Sequence, residues 1–167
     1  DPGADARLRA ARSQFVSGLI ARLRSVPRLE HVAAVSAVPM DGGLPDGMFL
    51  LAPVERLASA EQGALVIREG PRRPAVGCET GDWSHVDVYL TKTTDYRLLV
   101  FAGSEWEAQL AEWTTARGST VVGVGGNVKA AQYNLRYPGD ADDTVRLLTE
   151  VLVPELIAAR AWQGQRM

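Results

Sequence analysis

Hydrophobic positions near the start of the chain recur at three- and four-residue spacing. Leu8, Ala11, Phe15, Leu19, Leu23 and Val26 fall on one face, which predicts a helix from about Asp5 to Val26. Arg7, Arg9, Arg12, Arg22 and Arg24 lie mostly elsewhere around it and read as a solvated basic face. Pro27 ends that helix, since a proline ring excludes the preceding turn's hydrogen bond. An Ala/Val-rich stretch follows, then a turn-rich run from Pro39 to Gly47. The expected division is a helix and connecting segment over 1–45 and an α/β lobe over 46–167.

From Met48 the pattern changes. Met48-Phe49-Leu50-Leu51 is wholly apolar, as in a strand buried on both faces. A helical stretch from Val54 to Arg68 follows, and Pro71 and Pro74 break it before a short strand at Ala75–Cys78. Tyr96–Ala102 is the next apolar run. Ser104 and Glu107 then stand three apart, as in a capping box, with Trp106, Leu110 and Trp113 predicted to form the buried helix face and Gly118 its C-cap. Thr120–Val124 reads as a buried strand and Ala131–Tyr137 as a further one. Asp142 and Asp143 favour the start of a last helix running to about Trp162. Its stripe (Val145, Leu148, Leu152 and Leu156, widened by Leu147, Val151, Val153 and Ile157) predicts burial on more than one side. Pro154 is expected to bend it and leave one acceptor unpaired. Alternating buried strands and helices predict a three-layer αβα sandwich around a mostly parallel, doubly wound sheet. In such sheets ligands bind at the carboxyl ends of the strands, where strand order reverses.

Composition narrows the function classes. With 167 residues and 46% hydrophobic positions the chain can bury a proper core. A formal net charge of -2 gives no reason to expect nucleic acid or an anionic membrane as partner, while phosphate recognition needs only local donors. No apolar run reaches the roughly 18–20 residues of a spanning helix, and the N-terminal arginines interrupt any secretory signal. The lone cysteine, Cys78, has no internal disulfide partner and reads as a small buried side chain, which fits a reducing cytoplasm. No His or Cys pair has metal-ligand spacing, and no metal or cofactor is expected. Gly123-Val124-Gly125-Gly126 lacks the G-x-G-x-x-G spacing and reads as a tight turn.

One segment suggests chemistry. Gln62-Gly63-Ala64-Leu65-Val66-Ile67-Arg68-Glu69 places a carboxylate at the end of a helix. Sixteen residues later His85 follows Glu79-Thr80-Gly81-Asp82-Trp83-Ser84 in what reads as a loop. A carboxylate to carry a proton between adjacent carbons and an imidazole to serve a ring oxygen are what aldose–ketose isomerisation requires, although surface residues are the plainer reading of composition alone.

At these residues the sequence resembles the sugar isomerase (SIS) domain, in particular the second lobe of the isomerase half of glucosamine-6-phosphate synthase and related phosphosugar isomerases. Members of that family carry an E-G-A-L-K-L-K-E helix, a strand, and an E-x-x-H-G-P loop. The interval from Glu69 to His85 matches without a gap, and Val153-Pro154-Glu155-Leu156 is similar to the family's V-P-x-Q-L. The resemblance implies an SIS-type fold, a hexose or aminohexose phosphate as ligand, and a homodimer or a second SIS lobe as partner. It implies Glu69 as the carboxylate moving the proton between C1 and C2, and His85 as the ring-opening group, serving a neighbouring subunit's site. Gln62 and Arg68 become candidate substrate-binding residues.

The departures set the alternative. The family's first helix lysine is Val66 here, and the acid before the glycine is Gln62, unless Glu61 replaces it by a local shift. The glycine-rich turn before the helix is Ala52-Pro53-Val54, and H-G-P is His85-Val86-Asp87. No S-x-S-G-x-T phosphate loop of the family's other lobe is present, and its C-terminal tail lysine has no counterpart up to Met167. Because the chain begins at Asp1, it is expected to be a piece of something longer. Two readings follow: a phosphosugar isomerase lobe, or a non-catalytic sugar-phosphate-binding or structural SIS domain.

Overall fold

The computed structural model describes residues 46–164. The helix expected over Asp5–Val26 and the segment connecting it lie outside them. Five strands, β1 (Gly47–Ala52), β2 (Ala75–Glu79), β3 (Tyr96–Phe101), β4 (Val121–Val124) and β5 (Tyr133–Leu135), form one sheet in the order β2-β1-β3-β4-β5. Every pairing is parallel, from Met48 opposite Ala75 to Val124 opposite Leu135. The helices are α1 (Leu57–Glu69), α2 (Thr80–His85), α3 (Glu107–Arg117), α4 (Asp143–Thr149) and α5 (Leu152–Gly164). The expected αβα sandwich with a doubly wound parallel sheet is what the chain forms.

Strand β1 shows how the two faces are made. Its side chains alternate: Met48, Leu50 and Ala52 join Ala60, Ala64 and Ile67 of α1 and Ile157 and Ala158 of α5. Phe49 and Leu51 join Trp83 of α2 and Leu110 of α3 on the opposite face. All six β1 residues are buried, which is why the run is continuously apolar instead of alternating. Gly63 brings α1 close, since a Cβ there would stand 2.6 Å from Leu50 Cδ2 and 2.7 Å from Pro154 Cγ. The glycine of the Gln62–Glu69 motif is thus required by helix-on-sheet packing.

Three expectations are corrected. Trp106 precedes α3 and is 38% exposed, so the buried face of that helix rests on Leu110 and Thr114, with Trp113 partly buried. Gly103 N–H donates to Glu107 Oε1 at 2.5 Å and Trp106 N–H to Ser104 Oγ at 3.2 Å, a capping arrangement that holds the chain ahead of the helix. Gly118 does adopt the left-handed C-cap, with φ 63°. The last helix is two, α4 and α5. Pro154 has no N–H for the Glu150 carbonyl, which accepts from Val153 N–H at 3.0 Å, so no acceptor is stranded there and the helix breaks instead of bending. Leu148 and Leu156 remain 70% and 67% exposed, while Ile157 and Ala158 meet the core. The fifth strand is shorter than the Ala131–Tyr137 expected.

At the break, Glu150 is fully buried and pairs with Arg56 from the turn before α1. Arg56 also donates to the Ala102 carbonyl at the end of β3, so one guanidinium ties three elements at the carboxyl edge of the sheet. Burial pushes the Glu150 carboxyl above its ordinary range, opposed by the Ser59 hydroxyl and the Arg56 charge. Removing one partner strands the other charge out of water. Glu150→Ala is therefore expected to lower unfolding free energy by about 3–5 kcal/mol in urea denaturation, and Arg56→Met with Glu150→Leu to recover most of that loss. Equal loss in the single and double variants would refute this description of the pair.

Candidate functional site

Residue Glu69 closes α1 and is exposed. Because α1 starts after the carboxyl end of β1 and runs back along the sheet, Glu69 sits at the end where β2 begins. Beside it Arg68 is exposed, with Nη1 donating to the Ala75 carbonyl at 2.7 Å, which braces the turn into β2. Exposed Gln62 lies seven residues earlier, two helical turns or roughly 10 Å along the same face. The departed lysine position, Val66, packs partly against the core below α1.

The expected loop around His85 is a helix. Glu79 ends β2 with extended backbone and its carboxylate accepts from Gly81 N–H at 2.6 Å and Asp82 N–H at 2.9 Å, capping α2. A Cβ on Gly81 would stand 2.6 Å from Trp106 Nε1 and 2.7 Å from Glu79 Oε2, so the glycine makes room for both. Trp83 anchors α2, fully buried and edge-on to Phe49 at 6.1 Å. That anchoring turns His85, the last residue of α2, outward, its ring edge-on to Trp106 at 5.4 Å. Trp106 thus seats the imidazole, a contact that its sequence position in a helical stripe did not reveal. Val86 follows it directly, and Tyr89 and Leu90 lie in the next turn, Asp87–Lys92, at 68%, 59% and 42% exposure.

Glu69 and His85 are not brought together. Helix α1 covers one face of the sheet and α2 the other, with β1 between them.

Sequence reasoning missed the polar group at the carboxyl edge. Arg56, Glu150 and Arg146 meet near Gly103, where strand order reverses between β1 and β3. Arg56 and Glu150 are 94 residues apart, and no spacing signals such a pair. No cluster of three or more potential metal ligands occurs among the described residues.

No protein-family model matches the chain, and no curated protein does. Solved structures do. A candidate sugar-phosphate isomerase from Listeria monocytogenes superposes with a TM-score of 0.56 at 15% identity, over 72% of this chain and 70% of that one. An Escherichia coli CFT073 protein in complex with a sugar phosphate gives 0.56 at 12% identity, over 92% and 79%. The C-terminal domain of glucosamine-fructose-6-phosphate aminotransferase from Francisella tularensis gives 0.52 at 16% identity, over 71% of this chain and 36% of that one. The fold is that of the sugar isomerase domain. The matched part spans about a third of the Francisella tularensis chain.

The Cys78 thiol is half-buried in β2, less enclosed than expected. Burial, with Asp87, Asp82 and Glu79 adding repulsion, pushes it from 9.0 up to about 12. The thiolate is the nucleophile, so at pH 8 alkylation of the folded protein by iodoacetamide should run roughly a thousandfold slower than that of a free thiol. Reaction at the free-thiol rate would contradict this environment.

Proposed function

We propose that the chain is a lobe of an aldose–ketose isomerase acting on a hexose or aminohexose phosphate, with its site assembled between copies or lobes. Glu69 is the base that carries a proton between C1 and C2, and His85 opens the ring in the site of a neighbouring copy. The observation that carries this reading is the placement of the two groups. Both are exposed, and the Glu69 side chain makes no ion pair or hydrogen bond among the described residues. They face outward from opposite sides of a fold shared with a candidate sugar-phosphate isomerase and a protein solved with a sugar phosphate bound. The apolar surface at Val86, Tyr89 and Leu90 supports a second copy or lobe covering His85. Arg68 adjoins Glu69 and Gln62 lies two turns away along the same helix face; both are the proposed substrate contacts.

Val66 favours a second reading. A valine packed on the core offers no cation to the reacting sugar, which suits a lobe that binds sugar phosphates without turning them over.

Complementation separates the two. In the protein with both lobes present, Glu69→Gln and His85→Ala should each abolish glucose-6-phosphate/fructose-6-phosphate interconversion while leaving the fold intact by circular dichroism. Mixing the two variants under subunit exchange should restore about a quarter of the activity, since a symmetric dimer of one of each retains one complete site. Undiminished activity in Glu69→Gln removes the base assignment. Sugar phosphates that raise the melting temperature without any turnover in the unmodified protein support the binding reading.

A further inference from the structure

Helix α2 is six residues long and His85 is its last, and a helix that short orders its end weakly on its own. The wall against the imidazole comes from another element. Trp106 stands at the N-cap of α3, with its ring edge-on to His85, centroids 5.4 Å apart and planes at 79°. Its N–H donates to Ser104 Oγ at 3.2 Å and its carbonyl accepts from Leu110 N–H at 3.0 Å. The Trp106 backbone is therefore held both by the turn that leaves β3 and by the first turn of α3.

Room for the indole is made in α2. Gly81 and His85 are four residues apart, which stacks them on one face of the helix. A Cβ on Gly81 would stand 2.6 Å from Trp106 Nε1 and 2.8 Å from Trp106 Cδ1. The five-membered ring of the indole thus lies over Gly81, and the same side chain meets His85 one turn further on. Helix α2 is itself anchored. Trp83 is fully buried beside Phe49, and the Thr80 and Ser84 hydroxyls donate to the Ala52 and Thr80 carbonyls at 3.1 and 2.8 Å. Core packing does not account for a tryptophan here, because Trp106 is 38% exposed while Leu110 and Thr114 carry the buried face of α3.

We propose that Trp106 is a positioning residue for His85, setting the direction in which the imidazole presents its nitrogen to the ring oxygen of a sugar. The role rests on the reading of His85 as the ring-opening group. An edge-on aromatic contact restricts the imidazole to the rotamers that keep it, so less freedom is lost when the ring lines up with a substrate. Contacts of this kind shift a population by about two- to tenfold, which sets the size of the effect.

Histidine-ring NMR of the full chain tests the contact. The chain has two histidines, and His85→Ala assigns their signals. The His85 ring protons are expected to be displaced by the indole ring current. They should return towards free-histidine positions in Trp106→Ala, and also in Gly81→Ala, whose added methyl drives the indole away. Alanine is a better helix former than glycine, so the second variant keeps α2 and decides the matter even if the first fails to fold. In the protein with both lobes present, Trp106→Ala should lower kcat for glucose-6-phosphate/fructose-6-phosphate interconversion about two- to tenfold at unchanged KM, and Trp106→Phe should restore most of it. His85 signals that stay in place in both alanine variants would overturn the proposal, as would full kcat in Trp106→Ala where His85→Ala abolishes turnover. Full activity in His85→Ala would instead remove the reading on which the role rests, and the NMR tells the two failures apart because ring shifts need no turnover.

Discussion

Everything about the site follows from how a right-twisted parallel sheet must be wound. The connection from β1 through α1 to β2 moves one way along the sheet, and the connection from β2 through α2 to β3 moves back across β1. Both crossovers are right-handed, as strand twist requires, so the two helices lie on opposite faces. Glu69 ends the first helix and His85 the second. The sheet that gives the lobe its stability is therefore what keeps its two candidate catalytic groups apart.

That separation gives the departures from the family motif a physical meaning. Gly63 and Gly81 are kept where a Cβ would collide with Leu50 and Pro154, or with Trp106 and Glu79. These positions serve packing. Gln62, by contrast, is exposed and Val66 only partly buried, on the side of α1 leading to Glu69. A change there costs the fold little and alters mainly what a substrate would meet. The fold can thus stay as it is while Gln62 and Val66 differ from the motif, since Gly63 and Gly81 are the residues that hold α1 and α2 close.

The sheet was legible in the sequence because its strands are short apolar runs buried on both sides, and α1 and α3 because of their breakers and caps. Contacts between distant residues were not. Trp106 fits a helical stripe by spacing, yet the turn ahead of α3 places it over His85. The His85 segment resembled a loop by composition, and only the Glu79 carboxylate, folded back onto two N–H groups, makes it a helix. The Leu148–Leu156 stripe was visible as unusually wide, whereas the break at Glu150 that splits its helix, and the ion pair it makes with Arg56 94 residues away, were not.

The central claim is that one copy of the lobe holds Glu69 and His85 on opposite sides of its sheet. Spin labels at Glu69→Cys and His85→Cys, in a Cys78→Ser background and diluted with unlabelled protein, measure that distance within one copy by pulsed electron paramagnetic resonance. With a layer spacing of about 10 Å on either side of the sheet, the expected separation is roughly 20 Å. A separation below about 10 Å would allow both groups to reach one substrate from the same copy and would contradict the account.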